Sequence, residues 1–83
     1  MKPRNKKIAT LQKAVESGAL LGMTFEAEEG YQHMPFSKHK ITITKLLKKF
    51  RDWRNCLYEF KTEDGEVSTC RAQWLQYWKR VSE

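Results

Sequence analysis

Residues 41–44 carry the clearest secondary-structure signal in this chain. Isoleucine and threonine alternate over these four positions, and β-branched residues in alternation favour a strand with one apolar face. The segments Leu21 to Ala27 and Cys56 to Thr62 alternate in the same way, and Val67 to Arg71 follows as a returning strand. Because the chain has only 83 residues, these strands must share one compact core. We therefore predict an antiparallel sheet in a single domain.

The sequence Glu63-Asp64-Gly65-Glu66 predicts a hairpin turn between the last two of these strands, since Asp-Gly readily takes the positive φ angles of a tight connection. The length of the turn decides where the two cysteines lie. A two-residue turn places Cys56 and Cys70 on opposite faces, which excludes a disulfide, whereas a three-residue loop places them on the same face. Two free thiols in a reducing compartment fit this spacing best.

Apolar residues at helical spacing mark the N-terminal part of the chain. Ile8, Leu11 and Val15 share one helical face and Gly18 follows as a natural stop, so we predict a helix over residues 1–18. Its apolar face favours packing on the sheet, and its lysines offer the alternative of a basic helix lying on a phosphate backbone.

Two segments in the second half of the chain admit more than one interpretation. Residues 74–81 place apolar side chains at helical spacing, which predicts a short closing helical turn, with a strand as the alternative. Residues 46–53 fit either a strand followed by a turn or a helix. The residues that we expect to be buried are Phe25, Ile41, Ile43, Phe60, Trp74 and Trp78.

The pattern of residues 20–81 resembles the SH3-like small-barrel class. The resemblance rests on the strands Lys40 to Thr44 and Cys56 to Phe60, the acidic turn Glu63 to Glu66 and the aromatic terminal turn Trp74 to Trp78. It implies an α+β domain over 1–83, with a basic N-terminal helix (1–18), a small antiparallel SH3-like sheet or barrel (20–83) and a short C-terminal helical turn. Members of this class bind RNA, DNA or peptides, so the resemblance does not choose the ligand.

The formal net charge of +6 resides in one segment. Residues 38–54 hold seven cations and one anion, and the charges of the remaining residues cancel. Residues 1–13 carry only cations and residues 14–37 only anions. Such clustering favours a polyanionic partner, in the order nucleic acid, anionic membrane surface and acidic protein.

Aromatic residues accompany the cations. Trp53, in a predicted turn between two arginines, is the first candidate for stacking on a base, with packing as the alternative. Tyr77 is a second candidate for an exposed contact. The predicted nucleic-acid-binding residues are Lys6, Lys7, Lys38, Lys40, Lys45, Lys48, Lys49, Arg51, Trp53, Arg54, Tyr77, Lys79 and Arg80.

Other chemistries find little support in the sequence. The cysteines and the histidines His33 and His39 lack the C-x₂₋₄-C knuckle of structural zinc sites, so we expect no metal. No phosphate-binding glycine loop, paired-carboxylate motif or nucleophile context is present. We therefore expect a non-enzymatic protein without a cofactor.

The sequence leaves two functions from different classes. The first is a nucleic-acid-binding module, with RNA favoured. The second is a protein-interaction module or inhibitor that docks its basic face on an acidic protein. In size and charge the chain also resembles small basic phage-encoded RNA-binding proteins of the toxin-inhibitory kind, which implies a regulator or toxin inhibitor.

No run of apolar residues reaches the length of a membrane span, and residues 1–10 lack the apolar stretch of a signal peptide. We expect a cytoplasmic protein with no membrane partner.

Overall fold

The computed structural model describes the backbone of residues 3–31 and 33–81 and the side chains of residues 8–31 and 33–81. One helix, α1 (Pro3–Ser17), precedes five strands. The strands are β1 (Thr24–Ala27), β2 (Ile41–Lys48), β3 (Leu57–Thr62), β4 (Val67–Arg71) and β5 (Trp78–Arg80). Short 3₁₀ helices span Trp53–Asn55 and Ala72–Tyr77. The predicted α+β class, with a helix, an antiparallel sheet and a C-terminal helical turn, is confirmed.

The strands form one antiparallel sheet in the order β4-β3-β2-β1-β5. Its inner face is built by alternate residues, so that Ile41 pairs with Thr62 and Ile43 with Phe60, and all four are buried. Strand β1 is shorter than the predicted segment 21–27, because Gly22 takes a φ of +89° that interrupts extended geometry. Residues 18–22 form a turn instead of the start of a strand.

Helix α1 begins at Pro3 and ends at Ser17, which suits proline, since the first helical position needs no backbone donor. Gly18 stops it at a φ of +80°, with its N–H donating to the carbonyl of Val15 at 3.3 Å. Leu11, Ala14 and Val15 are buried on the side of α1 that contacts both 3₁₀ helices. The prediction of a helix that packs its apolar face is confirmed.

The ambiguous segment 46–53 begins as strand and not as helix. Strand β2 continues to Lys48 because residues 45, 46 and 48 pair with β3, so the helical alternative is wrong. Two irregularities, between Ile43 and Lys45 and between Leu46 and Lys48, each insert one unpaired residue. A bulge bends a strand and resets which residues face inward, and for this reason apolar residues at helical spacing can lie on a strand.

The C-terminal aromatic segment corrects one burial prediction. Ala72, Leu75 and Trp78 are all fully buried, and their spacing of three residues matches the three residues per turn of a 3₁₀ helix. Trp74, predicted to be buried with Trp78 on an α-helical face, is only half-buried. Its ring still contacts Trp78, with centroids 4.9 Å apart. The other predicted core residues, Phe25, Ile41, Ile43, Phe60 and Trp78, are buried.

The hairpin between β3 and β4 has a three-residue loop. Thr62 donates its N–H to the Glu66 carbonyl at 2.7 Å, and Gly65 supplies a φ of +98°. The side chain of Thr62 accepts from the N–H of Glu66 at 3.0 Å and donates to the Asp64 carboxylate. The two-residue alternative is wrong, and Cys56 and Cys70 are both buried as free thiols.

The buried apolar residues of α1, the sheet and both 3₁₀ helices form one hydrophobic cluster. No helix among residues 3–31 and 33–81 combines the length and apolarity needed to cross a membrane.

Candidate functional site

Strands β2, β3 and β4 turn a cationic surface outward. Even-numbered residues of β3 are buried, so its odd-numbered residues face away from the core. Cross-strand pairing then aligns three outward rows: Thr42, Lys61 and Val67; Lys45, Glu59 and Thr69; and Lys48, Leu57 and Arg71. We call the four cations in these rows the basic face; they are Lys45, Lys48, Lys61 and Arg71.

The basic face is dense in charge. Neighbouring strands lie about 4.8 Å apart, so Lys48 on β2 and Arg71 on β4 have α-carbons about 10 Å apart. Glu59 is the one carboxylate carried by these three strands. It accepts a hydrogen bond from the Thr44 hydroxyl at 3.0 Å. Four cations thus surround a single anion on an open surface.

The cations of the basic face take part in no ion pair among the residues that the structure describes. The ion pairs there join Arg54 to Asp52 and Lys79 to Glu26, and the His39 ring lies 3.8–3.9 Å from the carboxylates of Glu63 and Asp64. Arg71 uses one guanidinium N–H to bond the carbonyl of Asn55 at 3.2 Å. The basic face is therefore not neutralised from within the described part of the chain.

A basic loop extends this surface beyond the end of β2. It consists of Lys49, Arg51 and Arg54, all exposed. Asp52 moderates its charge, since its carboxylate accepts from the Arg54 N–H at 3.1 Å and lies 3.8 Å from the Arg54 guanidinium. Lys49 directly follows Lys48, and Arg51 comes two residues later, so the basic loop begins where β2 ends.

The lysines at the start of the basic segment lie elsewhere. Lys40 immediately precedes β2 and Lys48 ends it, which separates them by as much as about 26 Å at the rise of an extended strand. Lys38 and Lys40 line a shallow cleft of about 520 Å³ together with Lys79, His39 and three carboxylates: Glu26, Glu29 and Glu63. This end of the sheet, which we call the charge-balanced end, presents cations and anions together. Residues 38–54 thus do not form one basic edge.

Trp53 does not occupy the surface. Its side chain is only 8% exposed, because the first 3₁₀ helix turns it toward the core, where this helix contacts α1 and the second 3₁₀ helix. The Arg54 guanidinium covers the ring at 5.3 Å from its centroid. The expectation of an exposed stacking ring at Trp53 is corrected, and the packing alternative describes its position.

An aromatic cleft of about 520 Å³ opens beside the edge strand β4. One wall is Pro35 and Phe36, from the connection between β1 and β2, and a second wall is the 3₁₀ helix Ala72–Tyr77; the Phe60 ring contacts both Phe36 and Trp74. Arg71 stands at the boundary, since it belongs to the basic face and also lines the cleft. The lining residues are Pro35, Phe36, Phe60, Thr69, Cys70, Arg71, Gln73, Trp74, Gln76 and Tyr77.

The rings of this aromatic cleft hold one another in place. Phe36 meets Phe60 edge-on with centroids 5.3 Å apart, and Phe60 stacks on Trp74 at 5.7 Å. Tyr77 contacts Tyr31 at 4.9 Å. Tyr77, predicted as an exposed contact, is half-buried and lines the cleft.

The remaining predicted residues lie apart from the basic face. Lys79 is engaged by Glu26 at 3.3 Å, and Arg80 is exposed on β5, at the sheet edge opposite β4. The side chains of Lys6 and Lys7 lie outside the described residues. Of the predicted cations, Lys45 and Lys48 lie on the basic face, and Lys49, Arg51 and Arg54 lie in the loop that follows β2.

Sequence reasoning missed Lys61 and Arg71, which complete the basic face. The sequence did contain the information that places them. If Tyr58 and Phe60 face the core, strand alternation turns Lys61 outward, and a three-residue hairpin loop then places Arg71 on the same face of the sheet. Trp74 was missed as a cleft residue because an α-helical period was assumed.

Burial disfavours the charged forms of one thiol and one phenol on the inner face of the sheet. Burial raises the pKa of the Cys70 thiol to about 12. The pKa of Tyr58 is raised mainly by burial and further by electrostatic repulsion from Cys56 and Cys70. Within the described part of the chain, no group of three or more histidine, cysteine or acidic side chains is placed to hold a metal ion.

Comparisons of the chain with protein-family models, with curated proteins and with solved structures give no match.

Proposed function

We propose that this protein is a non-enzymatic nucleic-acid-binding module, with RNA as the favoured ligand, that holds phosphates on the basic face and the basic loop. The observation that carries the proposal is the outward row arrangement of Lys45, Lys48, Lys61 and Arg71 around a single carboxylate. None of these cations forms an ion pair within the described part of the chain, and binding them to phosphates would release the counterions condensed on the nucleic acid.

The surface suits phosphates better than base edges. Lysine ammonium groups on an open sheet approach a backbone without fixing a base, so affinity is expected to depend strongly on salt and weakly on sequence. The basic loop continues the same charge past the end of β2, which lengthens the track available to a strand. The preference for RNA is part of the proposal and rests on the resemblance to small phage RNA-binding regulators.

The test compares two variants of equal net charge. Lys45→Ala/Lys61→Ala removes two cations from the basic face, and Lys38→Ala/Lys79→Ala removes two from the charge-balanced end. On a single-stranded RNA of about twelve nucleotides, within the usual site size, the first variant should lower the slope of log K against log salt by about 1.4 units, at about 0.7 per lost contact. The second should leave the slope unchanged. Equal losses in the two variants would show that only total charge matters and would contradict the proposal.

A second candidate is docking of the same surface on an acidic protein, as an interaction module or inhibitor. The observation in its favour is the exposure of Leu47 and Phe50 beside the basic loop, because interface cores are apolar and their rims charged. Purification at low salt separates the two candidates. Copurifying nucleic acid and a mobility shift on mixed RNA and DNA support the first, whereas a protein-like ultraviolet absorbance ratio with no shift favours the second.

The biological setting belongs to the same proposal. A small RNA-binding regulator or toxin inhibitor of the phage type fits the size and charge of the chain. The hairpin and terminal helical turn that carry the SH3-like resemblance support a small-barrel assignment. Two buried free thiols support a reducing, cytoplasmic compartment.

A further inference from the structure

The aromatic cleft offers a different chemistry from the basic face. Its walls consist mainly of aromatic and amide side chains, and its floor is the buried pair Phe60 and Cys70. None of the residues that line the cleft is acidic. A volume of about 520 Å³ falls within the roughly 300–1,000 Å³ of ligand pockets. Such a space accepts a flat apolar group with hydrogen-bonding edges.

Two features direct the choice of ligand. Gln73 and Gln76 place amide donors and acceptors at the cleft, and an amide can match the polar edge of any base. Arg71 joins the cleft to the basic face, so a ligand that enters the cleft would carry its phosphate onto the neighbouring cations. A cationic or proline-and-arginine-rich peptide would find no carboxylate among the residues that line the cleft.

We infer that the aromatic cleft binds one unpaired base of a single-stranded nucleic acid, with the adjoining phosphate on Arg71. This inference rests on the proposed function and adds to it that the ligand must expose an unstacked base. The base lies between the wall of Pro35 and Phe36 and the wall of Trp74 and Tyr77. Stacking on aromatic rings is tolerant of sequence, and the cleft therefore selects single strands over duplexes rather than one base over another.

The test separates the base from the backbone. A uridine oligomer of about twelve nucleotides is compared with an abasic oligomer that has the same number of phosphates. The wild-type protein should bind the uridine oligomer roughly 5- to 150-fold more tightly, the range for stacking one base. Tyr77→Leu, which keeps an apolar side chain, should remove much of this ratio. Lys61→Ala should weaken both oligomers together and leave the ratio unchanged.

A second measurement does not depend on how the Tyr77 variant folds. A uridine oligomer that contains 4-thiouridine is photo-crosslinked to wild-type protein, and the attachment sites are mapped by mass spectrometry. Crosslinks to the cleft walls, at residues 35–36 and 73–77, are expected.

Crosslinks confined to residues 45–54, or equal binding of abasic and uridine oligomers, would overturn the cleft assignment while leaving phosphate binding intact. Absence of salt-dependent binding to both oligomers would overturn the proposed function itself. A proline-rich peptide that shifts the amide resonances of residues 71–77, in the absence of any response to the bases, would assign the cleft to a peptide instead.

Discussion

Lys45 of β2 and Glu59 of β3 are direct cross-strand partners on the outer face of the sheet. Glu59 is the only carboxylate that β2, β3 and β4 carry. Its carboxylate also accepts a hydrogen bond from the Thr44 hydroxyl. This pairing both supports the sheet and reduces the charge of the basic face. The two effects can be separated by removing the charge and keeping the shape.

Glu59→Gln should raise the affinity for nucleic acid. A carboxylate about 7 Å from a bound phosphate repels it by roughly 0.6 kcal/mol in water, which corresponds to about threefold in affinity. The gain should shrink as salt rises from about 50 to 200 mM, because screening grows. Fluorescence anisotropy with a labelled single strand measures it. The matched control Glu26→Gln, at the charge-balanced end, should change affinity less, and an equal gain in both variants would indicate a response to net charge alone.

Trp53→Ala should destabilise the fold. Because Trp53 is buried between helical segments, truncation opens a cavity, and such changes cost about 3–5 kcal/mol. A domain of this size has roughly 5–15 kcal/mol in total, so the urea midpoint should fall sharply. Phe50→Ala, at an exposed aromatic (37%), should cost much less. An unchanged urea midpoint for Trp53→Ala would contradict the burial of this ring and favour an exposed contact.

Gly18→Ala should weaken the end of α1. Gly18 has a φ of +80°, and a side chain added there would meet no atom within 4 Å, so the penalty is conformational and not steric crowding. A residue other than glycine in this region costs about 1–2 kcal/mol. Gly18→Asn should lose less, since asparagine tolerates left-handed geometry. Equal unfolding free energies for both variants would contradict this account.

Alkaline pH should destabilise the protein through Cys70. Burial raises the pKa of this thiol from 9.0 to about 12, so above pH 9 the unfolded chain releases a proton that the folded chain retains. Stability from this group is therefore complete below about pH 9 and is lost progressively between about pH 9 and 12. At about pH 10 the loss is on the order of 1 kcal/mol.

The check is the difference between the wild-type protein and Cys70→Ala, because other groups also titrate in this range. Urea unfolding at about pH 8 and 10 should show a steeper decline for the wild-type protein. Parallel pH dependence in the two proteins would mean that the thiol is not buried in solution.

The strand pattern was predictable because alternation is a local property. The period of two in residues 41–44 and 57–62 and the positive-φ requirement at Gly65 act within a few residues of the chain. These signals led to the correct strands and hairpin, and Gly18 in the same way marked the stopping point of α1. They also implied the outward position of Lys61, although the turn length was needed before Arg71 could be added to the same face.

The candidate site could not be predicted from any single segment of the sequence. The bulges in β2 exist because of pairing with β3, and they convert an apparent helical period at residues 46–53 into strand. The second 3₁₀ helix turns three residues per cycle, which buries Leu75 and Trp78 and leaves Trp74 half-exposed at the cleft.

The amino-acid sequence by itself determined the α+β class, the positions of strands β1 to β4, the hairpin and the excess of positive charge, because backbone propensity and side-chain alternation are local. Only the tertiary structure decided where that charge lies. The full extent of β2 separates Lys40 from Lys48, packing against α1 buries Trp53, and sheet pairing brings Lys61 and Arg71 beside Lys45 and Lys48. Proximity across strands depends on register and burial, and these are set by the whole core rather than by any one segment.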